Sequence, residues 1–172
     1  NFLGPDGGLA KDNPNYRFRP TQVEMVKTVL DGFKSGTHMA IEAGTGTGKS
    51  LAYLVPSAAW AVSEGVRVVL ATRTINLQEQ LWVKDIPFLQ DRGGTKFTAA
   101  LVKGRNNYIC LHRWDKKQKM CSSLQSNEII FVLKAAAWLA TTQNGDKSEL
   151  NIQAGQSGFW NDISSDQDLC LG

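Results

Sequence analysis

No apolar run in this chain of 172 residues approaches the roughly 20 residues that a membrane-spanning helix needs: Leu51 to Val62 is broken by Pro56, and Ile129 to Ala140 by Lys134. A soluble protein with no membrane partner is therefore predicted. Cysteine is scarce and odd in number. Cys110, Cys121 and Cys170 stand at wide spacings, which excludes the disulfide framework of a small secreted domain. The start of the chain also lacks the succession of basic region, apolar stretch and small-residue cleavage site that marks a secretory signal, so a reducing, cytoplasmic setting is predicted. The only two histidines, His38 and His112, make no pair at metal-ligand spacing and read as ordinary surface or loop residues. No internal repeat and no low-complexity tract is visible.

What is present is a globular composition, 42% apolar, with a net charge of +3 that is unevenly spread. Lys96 to Lys119 holds seven Lys and Arg against the single Asp115, whereas Thr141 to Gly172 carries one Lys against five acids. A local basic patch points to a polyanion partner, with an ordinary solvated face as the plainer alternative.

Residues 1–15, rich in Gly, Pro, Asp and Asn, read as an irregular N-terminal segment, with the ordered core starting near Tyr16. Apolar residues at helical spacing predict a helix from Thr21 to Phe33, with Thr21 as its cap and Gly36 beyond its end. His38 to Glu42 is a short apolar stretch before a Gly/Thr loop, and Ser50 to Ser63 reads as a mostly buried helix. Pro56 inside it, lacking an N–H, predicts a kink or an early stop. Val66 to Ala71 and Phe97 to Val102 have the length and composition of buried strands, and Ile75 to Leu89 returns to helical spacing. Alternation of this kind predicts an α/β fold, a parallel sheet covered by helices, over residues 16–102. After Val102 a basic, aromatic loop leads into an apolar helix, Glu128 to Ala140, and then polar, Gly-rich sequence. A boundary is placed near Lys103, giving a second region at 103–172.

Between the first strand and the Ser50 helix lies Ala43-Gly44-Thr45-Gly46-Thr47-Gly48-Lys49-Ser50, which matches the Walker A pattern except for Ala at its first position. Glycines let the backbone curl so that successive N–H groups converge on phosphate oxygens, and the start of the following helix adds unpaired donors. Lys49 is expected to reach the β- and γ-phosphates of ATP, Ser50 to ligate Mg²⁺ through its hydroxyl, and Thr45 and Thr47 to line the loop.

Four stretches together resemble the DinG/XPD (Rad3-related) branch of superfamily 2 DNA helicases, and its bacterial DinG-like members most of all. They are Tyr16 to Gln22, Glu42 to Tyr53, Ala71 to Leu81 and Lys103 to Cys110, so the resemblance runs over nearly the whole chain. It implies a RecA-like P-loop NTPase sheet with helices on both faces, present as part of a first motor lobe, followed by the start of a mainly helical iron–sulfur domain. By the same resemblance Gln22 recognises adenine, Arg19 lies near the nucleotide, and Thr72, Arg73, Thr74 and Asn76 form a motif that lies against single-stranded DNA. A side-chain amide can donate and accept toward a purine edge at once, and hydroxyl, amide and guanidinium groups suit phosphates.

Lys103 and Arg105 are taken as further DNA contacts, because phosphate attraction and base stacking suit the basic, aromatic surroundings of Cys110, which include Tyr108, Arg113, Trp114, Lys116, Lys117 and Lys119. Cys110 and Cys170 are implied ligands of a 4Fe-4S cluster that needs four thiolates, two of them beyond Gly172. Cys121 falls outside the pattern and reads as a free thiol.

The acidic Asp-Glu-Ala-His-like motif of such motors is missing, since no Asp-Glu dipeptide occurs. The chain is therefore expected to be a piece of a larger protein whose second RecA-like lobe completes the motor, which is inactive in unwinding by itself. The expected activity of the whole is ATP-driven 5′ to 3′ translocation on single-stranded DNA and unwinding of forked or overhang duplexes, in repair or replication. The alternatives are another P-loop NTPase, such as a kinase, and a non-catalytic nucleic-acid-binding module.

Overall fold

Helices carry nearly all the regular structure in the computed structural model, which describes residues 2–12, 15–120, 124–152 and 155–166. The chain divides into two compact units, Asn1–Leu101 and Val102–Gly172.

In the first unit, α1 spans Gly8–Asp12, α2 Pro20–Ser35 and α3 Lys49–Glu64. Thr21 does not cap α2. Pro20 occupies the first turn, where its fixed φ suits a helix and its missing N–H is not needed, and Arg19 holds the cap position without a side-chain bond. Gly36, at φ 65°, ends the helix in the left-handed region. Helix α3 runs unbroken through Pro56 to Gly65, so the early stop expected there does not occur. A proline inside a helix costs about 3 kcal/mol. Burial offsets this: Ala52, Leu54, Pro56 and Ser57 are all buried in α3, and sheltering one leucine side chain returns about 1.5–3 kcal/mol. The two helices meet through stacked rings of Phe33 and Trp60, 5.8 Å between centroids and 13° from parallel.

The predicted Ile75 to Leu89 helix is three segments in line: α4 at Ile75–Gln80, a π-helical turn at Leu81–Asp85 and α5 at Ile86–Arg92. The Ile86 N–H reaches five residues back to the Leu81 carbonyl. Pro87 explains the widening, because its ring would crowd the carbonyl four residues earlier and it has no N–H to give. Leu54 of α3, Leu81 and Leu89 form one buried cluster, with Leu77, Ile86 and Phe97 packed around it. The N-terminal segment is more ordered than its composition predicts. Leu3 and Leu9 are buried, the Phe2 ring lies 6.3 Å from Phe88, and the Tyr16 phenol donates to the Leu3 carbonyl at 2.8 Å.

The parallel sheet is not formed among the described residues, where the β pairing consists of isolated bridges in the second unit. The three segments of strand-like sequence lie outside helices without a ladder, and several of their apolar side chains face solvent: Val69 is 86% exposed and Met39 47%, while Phe97 packs on the buried cluster. A strand is held by its neighbours' N–H and C=O groups, so β-branched composition alone cannot pair it.

The second unit holds a 3-10 turn at Arg105–Asn107, α6 at Leu111–Lys119, α7 at Ser126–Leu139, a second 3-10 turn at Lys147–Leu150 and α8 at Ser157–Ile163. Helices α6 and α8 lie where a loop and a polar tail were expected. Reciprocal bonds between Gln125 and Glu128 cap α7. The core joins Trp114 of α6 and Phe131, Ala135 and Trp138 of α7 to Trp160 and Ile163 of α8. Trp138 and Trp160 meet edge to face at 6.1 Å, and the Trp160 indole N–H donates to the Asn106 carbonyl at 2.8 Å. Bridges Tyr108↔Asp146 and Ile109↔Ser164 tie the turns together.

Candidate nucleotide-binding site

Two glycines in the left-handed region, Gly46 at φ 78° and Gly48 at φ 80°, turn the chain from the irregular segment at 37–44 into α3. Gly48 has a second constraint. A Cβ there would lie 2.1 Å from Gln22 Nε2 and 3.3 Å from Arg19 Nη1, so the backbone approaches α2 more closely than any side chain allows. Gln22 is 2% exposed, and its Nε2 donates to the Gly48 carbonyl at 2.9 Å. Its Oε1 is buried without a partner, an acceptor left where an unmade hydrogen bond costs about 1–3 kcal/mol. The structure thus brings Arg19, Gln22 and Gly48 together at one edge of the loop.

The rest of the loop closes around its own lysine. Lys49 Nζ donates to the Ala43 carbonyl at 2.9 Å and the Gly44 carbonyl at 2.8 Å, and Thr47 Oγ1 donates to the Gly44 carbonyl at 2.9 Å. These partners are neutral, the Lys49 side chain is exposed, and the first N–H groups of α3 have no intrahelical acceptor. An anion could therefore take the ammonium from its carbonyls. Thr45 is exposed on the turn. Ser50 is half-buried, one helical turn before Tyr53 in α3. Burial pushes the Tyr53 pKa up, the Ser50 hydroxyl opposes it, and the Asp85 charge adds to the rise.

In the loop at 71–76, Thr74 caps α4 by accepting from the Leu77 N–H at 3.3 Å, and Thr72 Oγ1 donates to the Thr74 carbonyl at 3.1 Å. Arg73 and Asn76 are exposed beside them.

The second unit uses its basic residues differently from the expectation. Lys103 is not on the surface: its side chain is 3% exposed and its ammonium lies 2.8 Å from Asp146, itself 11% exposed, and 3.3 Å from the Ser148 hydroxyl. Lys117 bridges Glu128 and Asp162 at 3.0 and 2.8 Å, and Arg113 donates to the Ser164 and Asn161 carbonyls at 2.8 Å each. Trp114 is core, and the Tyr108 phenol accepts from the Lys103 N–H at 2.9 Å. Arg105 and Lys116 are exposed. Cys110 precedes α6 as a half-buried free thiol, its N–H bonded to the Ile163 carbonyl. Cys121 and Cys170 lie outside the described residues, and among those described no set of three His, Cys, Asp or Glu side chains could hold a metal ion. No helix among them is long and apolar enough to cross a membrane. Sequence reasoning missed Asp146, whose partners are set by packing rather than by any motif.

Comparison with known proteins gives this geometry a context. Residues 19–145 match the family model described as DEAD/DEAH box helicase. The chain is 33% identical over 96% of its length to the 3′-5′ exonuclease DinG of Bacillus subtilis, covering 18% of that protein. It is 34% identical over 99% of its length to the ATP-dependent DNA helicase YoaA of Escherichia coli, and 36% identical over 90% to the ATP-dependent helicase DinG of Mycobacterium tuberculosis, covering 26% of each. The chain thus spans about a quarter or less of these curated relatives.

Proposed function

The chain belongs to the DEAD/DEAH box helicase family, similar within it to the DinG-like helicases, and from that premise we propose that it is the nucleotide-binding part of the first motor lobe of an ATP-dependent DNA helicase. Family membership implies a P-loop NTPase fold working with ATP and Mg²⁺. In this reading the extended segments at 38–42, 66–71 and 97–102 are strands of the motor's parallel sheet.

The observation that carries the proposal is the buried Gln22, whose amide holds the Gly48 carbonyl and leaves Oε1 unpaired beside the loop. An acceptor so placed suits the exocyclic amine of adenine, with the guanidinium of Arg19 next to it. Lys49, released from Ala43 and Gly44, would hold the β- and γ-phosphates, with the amides from Gly44 to Ser50 around them and Ser50 Oγ toward Mg²⁺. When bound, Mg²⁺ neutralises charge that develops on the transferred phosphoryl group.

Thr72, Arg73, Thr74 and Asn76 would carry the phosphates of single-stranded DNA at the exposed start of α4. Arg105 is open to a similar contact, whereas Lys103 acts through Asp146 as part of the fold. Cys110 would contribute one thiolate of a 4Fe-4S cluster and Cys170 another, a reading supported by the family resemblance. Movement 5′ to 3′, preference for forked or overhang duplexes, cooperation with a second RecA-like lobe and a role in repair or replication complete the proposal.

In the full-length protein, Lys49→Ala should reduce DNA-stimulated ATP hydrolysis by on the order of 10²–10³, the scale of removing one preorganised charge from a reacting site. Retained DNA-stimulated hydrolysis would refute the role of Lys49. Phosphate transfer to a small acceptor instead of water would refute the motor.

A further inference from the structure

Residues 2–9 brace the Arg19 and Gln22 edge of the loop from behind. This segment folds back on itself: the Gly7 N–H donates to the Gly4 carbonyl at 3.0 Å and the Leu9 N–H to the Phe2 carbonyl at 3.1 Å. Gly8 permits the close turn, because a Cβ there would stand 3.1 Å from the Phe2 ring. Phe2 packs on the cluster of Leu54, Leu81 and Leu89, and Leu3 and Leu9 are buried. The segment then reaches the entry of α2 through one bond, from the Tyr16 phenol to the Leu3 carbonyl at 2.8 Å. Three residues after Tyr16, the Arg19 carbonyl accepts from the N–H groups of Gln22 and Val23 at 3.1 and 3.3 Å, which sets where the buried Gln22 amide stands.

We propose that Tyr16 is a positioning residue: its bond to Leu3 fixes the start of α2 and so holds Arg19 and Gln22 at the distance from Gly48 that an adenine base requires. This rests on the reading of Gln22 and Arg19 as the adenine-binding edge. Two features make the bond matter. The side chain at the cap position of α2, Arg19, makes no cap bond, so the helix start is not fixed by its own cap. The face of α2 just behind Gln22 is also loosely filled. Val23 and Val26 of α2, Val55 and Pro56 of α3, and Phe2 and Leu3 line an apolar recess of about 210 Å³, whereas close-packed interiors leave few voids larger than a water molecule. Helix α2 therefore has room to shift against α3. Two polar ties resist that shift, the Gln22 bond to the Gly48 carbonyl and the Tyr16 bond to the Leu3 carbonyl. The first belongs to the site itself. The second lies outside it, on a segment anchored to α5 through the rings of Phe2 and Phe88. A nucleotide that finds Arg19 and Gln22 already placed loses less free energy on binding than one that must order them.

The test is steady-state nucleotide hydrolysis by the full-length protein, stimulated by an oligo-dT strand, with ATP and GTP compared. Tyr16→Phe keeps the ring and removes the hydroxyl. It should raise the KM for ATP by about two- to tenfold, the scale of one neutral hydrogen bond, and leave kcat within about twofold. Guanine presents a carbonyl where adenine presents an amine, so GTP gains nothing from the Gln22 acceptor and its KM should change less. The preference for ATP therefore falls. Phe2→Ala, which unseats the segment and leaves the Tyr16 hydroxyl in place, should give the same pattern, and the double variant no more than the larger single effect. If Phe2→Ala melts early, Tyr16→Phe carries the test. A merely structural role lowers the melting temperature of Tyr16→Phe and leaves both KM values unchanged well below it, and that result overturns the proposal. So does a fall in kcat at unchanged KM. A natural protein that hydrolyses ATP and GTP with equal KM overturns the adenine-edge reading instead, a result distinct from an indifferent Tyr16→Phe.

Discussion

Replacing Lys103 with methionine should destabilise the Val102–Gly172 unit by about 3–5 kcal/mol, the usual effect of removing one partner of a buried ion pair. The structure gives the magnitude its basis. Lys103 Nζ sits 2.8 Å from Asp146 Oδ2, with the two side chains only 3% and 11% exposed, so methionine fills similar space and leaves an almost dry carboxylate. Part of that carboxylate stays satisfied, because Asp146 Oδ1 accepts from the Ser148 N–H at 2.9 Å, which argues for the lower end of the range. The pH dependence supplies a second check. Burial pushes the Asp146 carboxyl up, but the Lys103 ammonium and the Ser148 amide and hydroxyl outweigh it and hold the pKa below its ordinary value. A depressed folded-state pKa contributes stability that is present above the unfolded-state value and lost as pH falls through the folded one. Without Lys103 the largest opposing cause is gone and only the Ser148 bonds hold the carboxyl down, so acid removes less further stability. Natural and variant proteins should therefore converge as pH drops below about 4. Urea unfolding followed by the fluorescence of Trp114, Trp138 and Trp160, all in that unit's core, reads both effects, as a lower midpoint at unchanged slope. Lys103→Met combined with Asp146→Leu should recover most of the loss. A change under about 1 kcal/mol at neutral pH, accompanied by weaker DNA binding, would refute the reasoning and return Lys103 to the surface role its sequence suggested.

Two further outcomes follow from the loop. Gly48→Ala places a Cβ 2.1 Å from Gln22 Nε2 at φ 80°, so it should displace Gln22 and weaken ATP binding by about tenfold or more in a calorimetric titration; unchanged affinity would mean the observed approach of the loop to α2 is not needed by the ligand. Gln22→Ala removes a buried amide that holds the Gly48 carbonyl, and should lower the preference for ATP over GTP by on the order of tenfold in competition binding. Equal discrimination by both proteins would show that the unpaired Oε1 has another purpose.

Legibility from sequence followed how local each determinant is. Gly36 and Gly65 end helices in the left-handed region because αL geometry is a property of the residue itself, and Thr74 caps α4 through a hydroxyl three residues from its donor. Helix α6 was not legible, because its one buried apolar side chain, Trp114, gives no periodicity. Arg113 and Lys117 face inward with it to bond groups about 50 and 45 residues away in α8, or at its end. The π turn was overlooked because Pro87 is a single residue inside an otherwise regular apolar pattern. Residues 66–71 read as a buried strand, but no strand forms there among the described residues, because pairing belongs to neighbours that no local run contains.

The basic stretch from Lys96 to Lys119 shows why charge counted along a chain is a weak guide to charge offered at a surface. Lys103, Lys117 and Lys119 each meet a carboxylate, and Arg113 meets two carbonyls. Two of the partners, Asp146 and Asp162, come from the acid-rich region after Thr141. The two opposite charge biases therefore largely answer one another inside a single unit. The basic stretch and the acidic one are two halves of the same helical assembly, in which Lys117 alone joins α6 to α7 through Glu128 and to α8 through Asp162. Of the basic stretch, Arg105 and Lys116 are exposed and meet no carboxylate among the described residues, which leaves them to attract a polyanion. The loop at Arg73 in the first unit offers its guanidinium beside hydroxyls already fixed by backbone bonds, so ordering an anion there carries a smaller entropy loss than recruiting mobile lysines.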